Sequence, residues 1–335
     1  MPANPLNKPT YSKEQIDHIF NRLNFPQALR QYDPTSLKDP PRKDEPSRLQ
    51  YLTALQRSML TSVPFENLEL HYSPTHVITI EPDALYHKIV TQGTGRGGYC
   101  MENNAFFVTL LRSLGFSTYS VAARVNMLNS ANLPPGTPRE EIERYTGWSH
   151  MVNVVILDEG RYMLDVGFGT GGPTHPVRLV DREPTVNMQS EPKQEVRLRW
   201  DSPPENENQN LKLWIYERRI GEDSAWVPGY CFPEGLETLP ADFNIMNHFT
   251  STSRTSFFTY QVICSKFLLS EDGENIVGDI TVNKNECHRR TRGKKESLAI
   301  FRSEDERIQG LNQYLGLQLS EAQKSGITGM VSSLP

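Results

Sequence analysis

The chain has 335 residues, 37% hydrophobic and 22% charged, with 35 Lys and Arg against 40 Asp and Glu and a formal charge of −5. That is a soluble composition, long enough for two or three domains, and its acidic balance excludes a general nucleic-acid binder. The one basic exception is Arg289-Arg290-Thr291-Arg292-Gly293-Lys294-Lys295. Four cysteines (Cys100, Cys231, Cys264, Cys287) make no CxxC pair and no secreted-type framework. No stretch reaches the roughly 20 apolar residues of a membrane span. The start, Met1-Pro2-Ala3-Asn4-Pro5, lacks the apolar core of a signal peptide. The expected setting is a reducing cytoplasm, with no membrane and no nucleic-acid partner.

Residues 1–10 are Pro- and Asn-rich and read as loose. Ser12 then reads as a helix N-cap with Gln15 as its capping-box partner, and Ile16, Ile19, Phe20 and Leu23 follow at helical spacing. Tyr32 to Pro46 is a proline-rich loop; Leu49, Leu52, Leu55 and Met59 make a second helical stripe. Phe106, Phe107, Leu110, Leu111 and Leu114 make a third, stopped by Gly115. Ser120 to Val125 reads as a strand, residues 128–145 as a long insertion loop, and Met151–Leu157 with Arg161–Val166 as a hairpin about Asp158-Glu159-Gly160. The polar stretch 183–210 reads as a solvated connector. Beyond it come strands at Lys212–Tyr216, Phe257–Ile263 and Asn275–Val282, with helices near Leu239–Phe249 and Glu304–Leu315. The end, from Gly326 to Pro335, is small and apolar.

Three residues carry the chemistry. Cys100 follows Gly95-Arg96-Gly97-Gly98-Tyr99 and opens an apolar helix; His150 ends Thr146-Gly147-Trp148-Ser149-His150; Asp165 begins Asp165-Val166-Gly167-Phe168-Gly169. Cysteine, histidine, aspartate is the order of a thiol-based acyl-transfer triad. A free thiol titrates near pH 8.5 and is mostly protonated at neutral pH. A helix N-terminus and a neighbouring imidazolium both favour the thiolate, and an aspartate favours the imidazolium. The glycines before Cys100 permit a tight turn whose N–H groups, that of Cys100 included, face a developing oxyanion. His150 and Asp165 share a face of the hairpin only if paired positions sum to an odd number, and a bend or bulge near His150 must bring them together. Each residue alone has an ordinary reading: a packing thiol, an exposed histidine, a turn aspartate. Cys231, Cys264 and Cys287 read as packing residues. The eight histidines form no metal motif, and the glycines match neither a Walker A loop nor a dinucleotide fingerprint.

The chain resembles the arylamine N-acetyltransferase family. The resemblance rests on Val63-Pro64-Phe65-Glu66-Asn67-Leu68, Arg96-Gly97-Gly98-Tyr99-Cys100, the His150 and Asp165 motifs, and Asn247 with Ser251 to Phe258. It implies an α+β fold with a papain-like cysteine-enzyme core: a helical bundle at 1–116 bearing the cysteine, a β-barrel at 117–232 bearing His and Asp, and an α/β lid at 233–335. It also implies ping-pong acyl transfer from acetyl- or malonyl-coenzyme A, through a Cys100 thioester, to a small aromatic amine or hydrazine, as in xenobiotic metabolism. The alternative is a cysteine hydrolase or amidase using the same three residues. By the same resemblance Thr146, Gly147, Thr252, Ser253, Thr255 and Ser256 contact the coenzyme and Phe168 and Phe258 wall the acceptor pocket. Glu66 and Arg96 pair as a structural brace. No metal is implied, and the enzyme is expected as a monomer or weak homodimer. Arg254 replaces the proline usual in the coenzyme motif, and Thr170 stands where some relatives carry arginine. The long insertion and Pro-rich start point to a eukaryotic, fungal branch, in which malonyl-coenzyme A is a live donor.

Overall fold

The structure, a computed structural model, describes residues 8–38, 46–127 and 143–335. Most of the expected loose start, seven residues of the proline-rich loop and most of the 128–145 insertion lie outside the described residues.

Helices dominate the first part. Helix Lys13–Arg22 starts at Ser12, whose hydroxyl accepts from the Gln15 amide while the Gln15 side chain accepts from the Ser12 N–H, the expected capping box. Helices Arg48–Ser62 and Cys100–Ser113 pack with it around Phe20, Leu55, Phe106 and Leu110. Gly115 ends helix Cys100–Ser113 at φ 85°, a left-handed conformation suited to glycine.

Eight antiparallel strands follow: β2 (Thr118–Asn126), β3 (Tyr145–Leu157), β4 (Gly160–Leu164), β5 (Val177–Arg178), β6 (Thr185–Met188), β7 (Gln194–Asp201), β8 (Leu213–Ile220) and β9 (Val227–Phe232). Their order is β5-β4-β3-β2-β9-β8-β7-β6. The sheet curls until Asp181, just past β5, bridges Leu198 on β7, making a near-closed barrel. Its interior is filled by Val121, Val152, Met163, Leu198, Tyr216 and Tyr230.

The stretch 183–210 is therefore not a connector throughout: it contains β6 and β7. Their polarity misled the reading because the charges are used across strands. Arg197 and Arg199 each donate to Glu217 at 2.7 Å, and Arg199 also pairs with Glu143 and Asp201.

A second sheet orders β1 (Phe65–Glu66), β10 (Ile263–Leu269), β11 (Ile276–Asn283), β12 (Glu286–Thr291) and β13 (Lys294–Ile300). The strand expected at 257–263 begins only at Ile263, because Phe257–Thr259 is a tight 3₁₀ turn that carries the Phe258 ring inward. Helix Glu304–Leu315 covers this sheet through Leu311 and Leu315 against Cys264, Val282 and Cys287. The C-terminal segment packs beside that helix: Arg307 donates to the Ser332 carbonyl at 2.9 Å and Leu334 N–H to Glu304 at 3.1 Å. No helix among the described residues is long and apolar enough to cross a membrane.

Candidate active site

Cys100 is the first residue of its helix, and the loop before it is braced from below. Arg96 donates to Glu66 at 2.8 and 3.4 Å and to Glu69 at 3.2 Å; Gly97 N–H and Leu68 N–H also donate to Glu66, at 3.2 and 2.6 Å. Burial alone would push the Glu66 carboxyl up, but Arg96 and Lys88 beside it hold it at about 2. Lys88 also pairs with buried Glu102 at 2.7 Å, and Glu102 in turn accepts the Tyr99 N–H at 3.1 Å. A methyl group at Gly97 would lie 2.0 Å from the Pro64 carbonyl oxygen, and one at Gly98 2.5 Å from Glu102 Cβ. These glycines are needed because the chain passes through space no side chain can share.

His150 and Asp165 reach each other by the hairpin geometry the sequence demanded. Leu157 pairs Gly160 and Asn153 pairs Leu164, so partners sum to an odd number about a two-residue turn. Ala123 pairs His150 but Arg124 pairs Trp148, leaving Ser149 as an extra residue. That bulge, immediately before His150, supplies the required bend. His150 Nε2 donates to Asp165 Oδ2 at 2.8 Å, both residues being 1% exposed.

The Cys100 thiol is near enough to the imidazole to raise its value, and its sulfur donates to the Ser149 carbonyl oxygen at 3.7 Å. With Nε2 engaged by Asp165, Nδ1 is the ring nitrogen left for the thiol. Burial would lower the His150 value, yet the Asp165 carboxylate, its hydrogen bond and Cys100 raise it to about 10. Asp165 is held below the usual carboxylate range: burial opposes this, and His150, Asn104 and the Gly167 N–H outweigh it. An imidazolium–carboxylate pair beside a thiol is the arrangement that activates a sulfur nucleophile.

Asn104 is a residue the sequence reading missed. One turn after Cys100, its amide donates to Asp165 Oδ1 at 2.9 Å and the Met151 carbonyl at 2.7 Å, and its oxygen accepts the Val166 N–H at 3.1 Å. It ties helix to hairpin. The signal was present: paired asparagines inside an otherwise apolar helix must have partners if buried. Tyr230 was missed too; its ring centroid is 5.0 Å from that of His150 and 4.8 Å from that of Phe168. A methyl group at Gly167 would lie 2.7 Å from Cys100 Cα, so the segment after Asp165 can touch the Cys100 backbone only as glycine.

Cys100 and His150 line a cleft of about 1450 Å³ between the barrel and the second sheet, with Asp165 bonded to His150 outside its lining. Thr146, Gly147, Thr255, Ser256, Phe168 and Phe258 line it. Thr252 and Ser253 do not. The Thr252 hydroxyl donates to the His248 carbonyl at 2.6 Å, and the Ser253 hydroxyl lies 2.8 Å from that of Thr255. Arg254 is exposed. Phe258 is fixed through its carbonyl, which accepts from Asn67 at 2.9 Å and lies 3.0 Å from His71 Nε2. The other cysteines are buried and their thiols pushed up, Cys231 to about 12 and Cys287 to about 11. Among the described residues no cluster of His, Cys, Asp and Glu is arranged to hold a metal.

Known proteins resemble this chain in sequence and in fold. A family model described as N-acetyltransferase matches residues 48–324. An N-malonyltransferase, FDB2, of Gibberella moniliformis is 35% identical over 325 residues, 95% of this chain and 92% of that protein. The arylamine N-acetyltransferase of Escherichia coli is 35% identical over 253 residues, 76% and 73% of the two chains. Among solved structures, the Nocardia farcinica arylamine N-acetyltransferase superposes with a TM-score of 0.73 at 23% identity over 98% of both chains. The Mycobacterium marinum enzyme in complex with CoA gives 0.68 at 21% identity, over 94% and 99% of the two chains. This chain belongs to the arylamine N-acetyltransferase family, as an acyl-coenzyme A-dependent N-acyltransferase.

Proposed function

We propose that Cys100, His150 and Asp165 are the catalytic triad of a ping-pong transferase that carries a short acyl group from acetyl- or malonyl-coenzyme A to an aromatic amine or hydrazine. The observation that carries this reading is the buried His150–Asp165 pair beside a thiol at a helix N-terminus, open to one deep cleft. The Cys100 sulfur attacks the thioester carbonyl, and the oxyanion faces the N–H groups at the start of the helix. Coenzyme A leaves with the proton held by His150. The amine then attacks the acyl-cysteine carbonyl, His150 takes its proton, and the sulfur departs.

Thr146, Gly147, Thr255 and Ser256, on the cleft wall, contact the coenzyme, while Phe168 and Phe258 flank the aromatic acceptor. Malonyl-coenzyme A is the donor we favour, because a relative matched across nearly the whole chain is an N-malonyltransferase. Residues 1–116, 117–232 and 233–335 act as nucleophile-bearing bundle, barrel and lid, and a reducing cytoplasm, where the thiol stays free, is the working compartment. Mass spectrometry after mixing with malonyl- or acetyl-coenzyme A tests the reading. A single acyl adduct on Cys100, discharged by an aniline, is expected. No adduct with either donor, or discharge by water as fast as by amine, refutes it.

A further inference from the structure

His71 has no part in the chemistry above, yet it is fully buried and has a partner at each ring nitrogen. It lies on the short helix Glu69–Tyr72 and does not line the cleft.

Its proton can be placed. Asn67 Oδ1 accepts the Ile263 N–H at 2.9 Å, and the Asn67 amide nitrogen donates to the Phe258 carbonyl at 2.9 Å and the Gln261 carbonyl at 2.8 Å. Both amide protons are thus engaged, and none is left for His71 Nε2, 3.1 Å away. Nε2 therefore carries the ring proton and donates to the Phe258 carbonyl at 3.0 Å. Burial, only partly offset by that bond, pushes the ring down to about 4, so it is neutral near pH 7. The Nδ1 lone pair accepts the Ser332 hydroxyl at 2.7 Å. Ser332 is held in turn, because its carbonyl accepts from buried Arg307 at 2.9 Å.

The far end of this chain of bonds is the cleft wall. Phe258 puts its ring into the cleft lining, edge-on to Tyr99 at 5.3 Å between centroids. The segment before it closes on itself. Ser256 N–H donates to the Ser253 carbonyl and Thr259 N–H to the Ser256 carbonyl, each at 3.0 Å, and the Thr259 hydroxyl donates to both carbonyls. Thr255 and Ser256 are therefore held without His71, whereas the Phe258 carbonyl depends on it for one of two donors.

We propose that His71 is a positioning residue for acceptor binding: it aims the Phe258 ring, and Ser332 fixes the tautomer with which it does so. The inference rests on the reading that Phe258 flanks the acceptor, and the test separates the two. KM for 4-methylaniline at saturating acetyl-coenzyme A, and the rate of Cys100 acylation without acceptor, are measured in the wild type, Phe258→Ala, His71→Leu, His71→Gln and Ser332→Ala. Thermal melts check that each variant is folded.

His71→Leu removes one donor from the carbonyl and is expected to raise KM about fivefold, with acylation within twofold of wild type. His71→Gln, whose amide N–H reaches the place of Nε2, is expected to hold KM within twofold. Ser332→Ala lets the proton move to Nδ1 and turns the Nε2 lone pair on the carbonyl, so KM is expected to rise at least twofold; this variant carries the test if His71→Leu does not fold. A KM within twofold of wild type in both His71→Leu and Ser332→Ala, while Phe258→Ala raises it tenfold, overturns the role of His71 alone. Acylation falling as far as KM rises, or no rescue by Gln, marks a merely structural residue and overturns it too. A Phe258→Ala variant with unchanged KM refutes the acceptor-wall reading and this inference with it.

Discussion

Replacing Asp165 by asparagine removes one charge from a dry site and leaves the shape nearly intact. The carboxylate lies 2.8 Å from His150 Nε2. With the charges spread over ring and carboxylate, an effective separation of ~4 Å and dielectric of ~20 give an interaction of about 4 kcal/mol. That is about three powers of ten in the proton affinity of the imidazole, in line with a His150 value of about 10 against an ordinary 6.5.

The substitution also reverses a hydrogen bond. Asn104 Nδ2 and Gly167 N–H donate to Oδ1, at 2.9 and 2.8 Å, so the new amide oxygen settles there and its NH₂ group faces Nε2. Nε2 must then accept, which puts the ring proton on Nδ1, the atom that has to take a proton from thiol or amine. We expect kcat to fall by about 10³–10⁴, as for other triads with a misplaced tautomer. Ring-labelled NMR should show His150 titrating at least two pH units lower than in the wild type.

Stability must follow the same sign. A value raised from 6.5 to about 10 on folding stabilises fully below pH 6.5, and that contribution is lost as pH rises through about 10. The difference in unfolding free energy between wild type and Asp165→Asn should therefore shrink over this window. A folded variant whose His150 is still cationic at pH 8.5, or that keeps more than a tenth of wild-type kcat, refutes the reasoning.

Glu66 gives an acid-side counterpart. Its folded value of about 2 against an ordinary 4.5 is worth about 3 kcal/mol, present above pH 4.5 and lost as pH falls through about 2. Glu66→Gln should cost about 3–5 kcal/mol at pH 7 in urea melts and converge toward wild type in that acid window; a constant difference from pH 7 to 2 contradicts this. Asn104→Ala strips partners from the Met151 carbonyl and the Val166 N–H as well as Asp165. It should cost about 3 kcal/mol or more and lower kcat roughly tenfold to a hundredfold, and wild-type kinetics in this variant would show that Asp165 needs no such anchor. Gly167→Ala forces a carbon to within 2.7 Å of Cys100 Cα and its carbonyl oxygen. Acylation of Cys100, followed by mass spectrometry, should slow by about 10² or more, because a misplacement of ~1 Å at the nucleophile has that effect; an unaltered rate would mean that the contact yields freely.

Local signals and the demands of the chemistry were legible in the sequence. Ser12 with Gln15 gave a helix start, Gly115 a helix stop, and the spacing of His150 and Asp165 required an even turn and a distortion that the bulge at Ser149 provides. Long-range pairing was not legible. Nothing near Arg197 or Arg199 announces that Glu217 awaits them on the neighbouring strand, so charged strands read as a loop. Asn104 likewise acquires meaning only when the hairpin arrives beside it. Motif similarity implies Thr252 and Ser253 at the coenzyme but carries no orientation; the Thr252 hydroxyl donates within its own helix and that of Ser253 lies beside cleft-lining Thr255.

The two-residue strand Phe65–Glu66 has a temporal consequence. It lies beneath the loop before Cys100, yet it pairs with Ser265 and Cys264, and Asn67 bonds Ile263 in both directions. A chain emerging from the ribosome exposes Cys100 long before that partner strand is made. The pairing beneath its loop is completed only once residues 263–265 have been added, so a chain cut short before them lacks that support.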